Sequence, residues 1–252
     1  MSKPRVVAVI PARYASTRLP GKPLADIHGK PMIQWVYERV KKCRAVDQVI
    51  VATDDTKILE KVKSFGGECL MTSLDCQSGT DRVAEVATKV DGDIFVNAQG
   101  DEPLMSSQAI ELAVKLVVSG KFKMSTVATP IQGPEDLTEV SVVKVIVDAD
   151  GNAIYFSRLP IPYTRVEPPK QRHSQGMTSA YLCKRHVGLY VYERATLAQF
   201  AAWPATDLEK AESLEQLRAL HHGLSIGVAD SDFLSIGVDT SEDLKKVREL
   251  LQ

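Results

Sequence analysis

The chain has 252 residues, 44% apolar, 25% charged and 6% aromatic, ordinary values that exclude disordered, fibrous and collagen-like readings. Its 31 Lys and Arg against 32 Asp and Glu leave a net charge of -1, which lacks the basic footprint of a nucleic-acid partner. No stretch approaches the roughly 20 apolar residues of a membrane span, and the apolar run Val6–Ile10 is too short for the core of a signal peptide. Cys43, Cys69, Cys76 and Cys183 have no C-x-x-C spacing, so neither a zinc site nor a disulfide framework is expected. The expectation is a soluble cytoplasmic chain with no membrane partner.

In chain order, Val6–Ile10 is a β-rich run that stops at Pro11, and Val49–Thr53 and Ile94–Ala98 are further runs of the same kind. Near-continuous apolar runs suggest strands buried on both faces of a parallel sheet. Helical stretches fall between and after them: 32–43, 56–65, 80–90 and 106–118. This alternation predicts an α/β, Rossmann-like doubly wound, mostly parallel sheet. The segment 125–183 breaks the rhythm. Residues 142–147 and 153–156 read as a hairpin across Asp150-Gly151, and Pro160, Pro162, Pro168 and Pro169 make a loop. We read 1–252 as one domain with 125–183 as an inserted subdomain, a lid or dimer surface. Beyond it, strands are expected at 186–192 and 224–228, and helices at 195–202, 208–220 and 241–251.

Ligands of open α/β sheets bind beyond the carboxyl ends of the strands. The loop there after the first strand, Pro11 to Pro23, combines Arg13, Arg18 and Lys22 with small residues. Clustered cations and approachable backbone amides suit a polyphosphate. The loop is neither a Walker motif nor G-x-G-x-x-G. Asp101 lies just past the third run, so its carboxylate is expected in the same cleft. Asp239 follows Ile236-Gly237-Val238 and precedes a helix, where it reads as a cap. Ser78 and Thr80 read as caps of the helix they begin. His186 and Tyr190 share one face of a strand; Glu212 and Gln216 share one face of a helix.

The string P-A-R-x-x-S-T-R-L-P-G-K-P-L at 11–24 resembles the signature loop of sugar nucleotidyltransferases, and most of all the CMP-Kdo synthetases, the cytidylyltransferases for 3-deoxy-manno-octulosonate (Kdo). Further segments agree in order: V-A-T-D-D at 51–55, S-G-T-D-R at 78–82, Q-G-D-E-P at 99–103, Y-F-S-R at 155–158, H-V-G-L-Y at 186–190, E-S-L-E-Q-L-R at 212–218 and G-V-D-T at 237–240. The resemblance implies transfer of CMP from CTP to Kdo for lipopolysaccharide synthesis, or to 8-amino-Kdo or a sialic acid as the alternative acceptor. It implies Ala12, Arg13, Ser16, Lys22, Ser73, Gly79, Arg82 and Gln99 around the nucleotide. Gln99, Arg158, His186, Tyr190, Glu212 and Gln216 would surround the sugar, with Arg158 paired to its carboxylate. Asp101 and Asp239 would hold Mg2+, with Arg13, Lys22 and Asp101 as the catalytic groups, and the assembly would be a homodimer.

Overall fold

The computed structural model describes residues 3–15, 19–163, 165, 182–233 and 236–251. The first half contains β1 (Val6–Ala12), a 3-10 turn (Lys22–Leu24), the small pair β2 (Asp26–Ile27) and β3 (Lys30–Pro31), and α1 (Met32–Lys41). Next come β4 (Gln48–Thr53), α2 (Thr56–Ser64), β5 (Glu68–Met71), α3 (Gly79–Lys89), β6 (Ile94–Asn97) and α4 (Ser107–Val118). The second half contains β7 (Met124–Thr129), α5 (Pro134–Thr138), β8 (Lys144–Val147), β9 (Ala153–Ser157) and β10 (Lys184–Glu193). It ends with α6 (Arg194–Ala202), α7 (Asp207–Glu212), α8 (Leu217–His221), β11 (Ile226–Asp230) and α9 (Ser241–Leu250).

The main sheet runs β11-β7-β10-β6-β1-β4-β5, with β8 and β9 attached through β8 to β10. β1, β4, β5 and β6 are parallel, β10 is antiparallel to β6 and β7, and β11 is parallel to β7. The doubly wound, mostly parallel sheet expected from the sequence is therefore present. Alternation along β1 explains its layers. Val6, Ala8, Ile10 and Ala12 face α1, α2 and α4, whereas Val7 and Val9 face α3, α6 and α8. Burying each such aliphatic side chain contributes about 1.5–3 kcal/mol, and β1 buries them on both sides. β4 and β5 follow β1 on one flank while β6 pairs on the other. That reversal opens a crevice beyond the carboxyl ends of β1 and β6.

Three expectations are corrected. The unit inserted at 125–183 does not start at 125, because β7 is an interior strand of the main sheet, buried throughout. The β8–β9 hairpin does lie off the main path. Its turn is set by Asp148, whose carboxylate accepts from the backbone N–H groups of Asp150 and Asn152, and by Gly151 at φ +85°. The helix expected at 208–220 is two helices, broken at Ser213, which adopts the left-handed region at φ 51°. Finally, β1 continues through Pro11, which is in register with Ala52. Among the described residues no helix is long and apolar enough to cross a membrane.

Candidate active site

Two loops meet in the crevice. After β1, Gly21 at φ +68° lets the chain double back, with its N–H donating to the Tyr14 carbonyl, and Lys22 begins the 3-10 turn. After β6, the 98–101 segment presses against the end of β1. A Cβ on Gly100 would lie 2.6 Å from the Pro11 carbonyl oxygen, so only glycine allows this approach. The neighbouring Asp101 is thereby directed at Lys22, whose ammonium donates to Asp101 Oδ2 at 2.7 Å and to Asp239 Oδ1 at 3.1 Å. Asp239 is held by Val238, whose N–H donates to the Asp101 carbonyl at 2.9 Å. It is not the cap of α9. Thr240 takes that role in a capping box with Asp243, and the Asp239 carboxylate faces the cleft. Burial opposes the charge of Lys22, but the two carboxylates outweigh it and hold the ammonium pKa above its ordinary value.

Arg13, Ala12, Lys22, Gln99, Asp101 and Asp239 line one cavity of about 360 Å³. A second, of about 470 Å³, is lined by Arg158, His186, Tyr190 and Gln216 among others. The two cavities share Gln99, Asp101 and Asp239. That shared wall makes the two cavities neighbours.

The remaining nucleotide-side residues lie around this wall. Arg13 donates to the Cys76 carbonyl and so ties the first loop to the 73–78 loop. Ser78 caps α3 in a capping box with Asp81, leaving Gly79 against the Pro11 ring. Ser73 bonds Asp75 at 3.1 Å. Arg82 is buried, with its guanidinium donating to Asp54, Thr72 Oγ1 and the Ser73 carbonyl, so it supports the loop from behind. Ser73, Gly79 and Arg82 line neither cavity. Ser16 and Arg18 lie outside the described residues.

On the second cavity, β10 carries a bulge between Val187 and Tyr190. The Thr126 hydroxyl fills the gap in the ladder by donating to the Leu189 carbonyl at 2.8 Å, and its oxygen meets His186 Nε2 at 2.9 Å. Because two residues are added, strand parity survives and the His186 and Tyr190 rings remain 5.5 Å apart on one face. Phe156 packs edge-on against His186 from the other side, and burial pushes its pKa down to about 3.

Two sugar-side expectations change. Glu212 and Gln216 do not share a helix face, because the break at Ser213 separates them. The Glu212 carboxylate instead accepts from Ser157 Oγ at 2.7 Å and from the Arg158 N–H at 2.9 Å, outside the cavity wall. Arg158 does line the cavity, but its guanidinium donates to the carbonyls of Val140, Glu212 and Ser213. These bonds brace the wall. Gln216 gains in consequence. It is only 3% exposed, lines the cavity, and has no partner for its amide nitrogen.

Sequence reasoning missed two supports. Lys144, fully buried, donates to the carbonyls of Glu139, Val142 and Arg158, pinning both edges of the second cavity. Thr80 donates to Glu215 Oε2 at 2.6 Å and accepts from Asn97 Nδ2 at 3.2 Å, joining α3, β6 and the loop before α8. A threonine on the first turn of a helix signals a cap, so nothing local announced this link.

A cytidylyltransferase family model matches residues 7–226. A protein of Geobacter metallireducens named 3-deoxy-manno-octulosonate cytidylyltransferase is 50% identical, covering 98% of this chain and 98% of its own. The protein of that name from Geotalea uraniireducens is also 50% identical, over 98% of this chain and 99% of its own. The solved structure of a CMP:2-keto-3-deoxy-manno-octonic acid synthetase complexed with CTP superimposes with a TM-score of 0.88 at 43% identity, covering 98% of both chains.

His186 yields the first test. A folded-state pKa of about 3 against an ordinary 6.5 means that protonation favours the unfolded chain, so this residue costs stability as pH falls below about 6.5. In NMR titrations of the folded protein the His186 ring signals are expected to stay unchanged from pH 8 to pH 5. A midpoint near 6.5 would contradict the packing described.

Proposed function

The chain belongs to the 3-deoxy-manno-octulosonate cytidylyltransferase family, and we propose that it transfers CMP from CTP to Kdo, releasing pyrophosphate. The observation that carries this reading is the wall of Gln99, Asp101 and Asp239 common to both cavities. CTP phosphates lie along Arg13 and Lys22, the sugar lies against His186, Tyr190 and Gln216, and its anomeric hydroxyl meets the α-phosphorus at the shared wall.

Asp101 and Asp239 suit magnesium as a donor set. Both carboxylates already share one cation, the Lys22 ammonium. No group of three or more metal-binding side chains occurs among the described residues, which fits an ion that keeps water and substrate phosphate as its other ligands. Bound there, magnesium supplies neutralisation of the α-phosphate and a lower pKa for the attacking hydroxyl. The chain's own groups do the rest. Arg13 and Lys22 neutralise the leaving pyrophosphate, Gln99 orients both reactants, and the walls braced by Arg158 and Lys144 keep the acceptor in line. Neutral His186 gives the sugar pocket a polar ring without adding a cation. We further read the protein as a cytoplasmic homodimer that activates Kdo for lipopolysaccharide synthesis.

The direct assay is pyrophosphate release from CTP and magnesium with Kdo, with N-acetylneuraminate, or with no sugar. Release that depends on Kdo is expected; release only with another acidic sugar would move the acceptor, and none with any sugar would overturn the reaction. The Gln216 amide tests the sugar pocket. A hydrogen bond to a charged ligand contributes about 1.5–3 kcal/mol, so Gln216→Leu is expected to raise KM for Kdo at least about tenfold and leave KM for CTP within about twofold. Equal effects on both substrates would remove Gln216 from the sugar site.

A further inference from the structure

Lys22 bonds one oxygen of each carboxylate that the preceding reading gives to magnesium. Its ammonium lies 2.7 Å from Asp101 Oδ2 and 3.1 Å from Asp239 Oδ1, and its side chain is only 15% exposed. Those distances are charge-assisted hydrogen bonds rather than loose surface pairing. A divalent ion brought to both carboxylates would meet a positive charge within a few ångströms. The ammonium and the metal therefore compete for the pair. Lys22 also lines the cavity together with Arg13 of the same loop, so phosphate oxygens placed there offer its flexible stem a second set of anions.

We propose that Lys22 is a tethered competitor of the metal ion, closing the Asp101–Asp239 pair until a nucleotide triphosphate draws its ammonium away. The idea rests on Asp101 and Asp239 being the metal ligands. It adds that the enzyme without nucleotide binds metal weakly and that metal and CTP enter as a unit. The same cation then serves twice: as the plug of the metal site before binding, and as the partner of the leaving phosphates afterwards. When pyrophosphate departs, the ammonium would return to the carboxylates and weaken their hold on a metal again.

The test reads metal binding, not turnover. Free Mn2+ is followed by electron paramagnetic resonance during titration into the wild-type protein and into Lys22→Met, with no nucleotide present. Lys22→Met is expected to bind Mn2+ at least about tenfold more tightly than wild type, although it loses a catalytic cation. Lys22→Gln, similar in length but uncharged, is expected to shift in the same direction and stands in if the methionine variant folds poorly. Adding Asp239→Asn to either variant is expected to abolish the gain. Equal or weaker binding by both Lys22 variants would overturn the competition. A gain that survives Asp239→Asn would overturn the assignment of the metal ligands themselves, which separates the two failures.

Discussion

An ammonium held between two carboxylates ties this molecule together. Lys22 follows the first strand, Asp101 the central parallel strand and Asp239 the segment before the last helix, 217 residues beyond Lys22. Each segment reaches that point for a separate local reason: Gly21 turns the first loop, Gly100 lets the second press on Pro11, and the Thr240 cap leaves Asp239 facing inward. Charge then makes the convergence mutual. Two carboxylates this close repel unless a cation stands between them, and Lys22 or a metal satisfies that requirement.

The sheet decides where this happens. With β1 buried on both faces between β4 and β6, the crevice at their carboxyl ends is a place where two loops can face each other across a strand boundary. The antiparallel β10 then brings a different set of side chains to the same end. Its bulge, secured by Thr126, presents His186 and Tyr190 toward the second cavity while the neighbouring Val187, Leu189 and Val191 stay in the core. One sheet thus supplies the first cavity from its parallel half and the second from its mixed half.

The first loop, Asp101 and the buried strands were legible because each depends on nearby sequence: an apolar run, its end, and the cations that follow. β7 was not. Its sequence M-S-T-V-A-T looks half polar, yet Ser125 donates to the Ala113 carbonyl and Thr126 to Leu189, so the hydroxyls are satisfied inside the sheet. The break at Ser213 was hidden because serine carries no helix-stopping signal. It follows from Glu212 being drawn to the end of β9, a contact across 55 residues. The bracing bonds of Arg158 were equally hidden, because the carbonyls it meets belong to distant segments.

The central claim is that donor and acceptor meet at the wall of Gln99, Asp101 and Asp239. A crystal structure with Mn2+, Kdo and a non-reactive CTP analogue tests it most directly. The Mn2+ anomalous peak is expected between Asp101 and Asp239, with the anomeric oxygen about 3–3.5 Å from the α-phosphorus. A metal bound elsewhere, or a sugar whose anomeric oxygen points away from the shared wall, would contradict it.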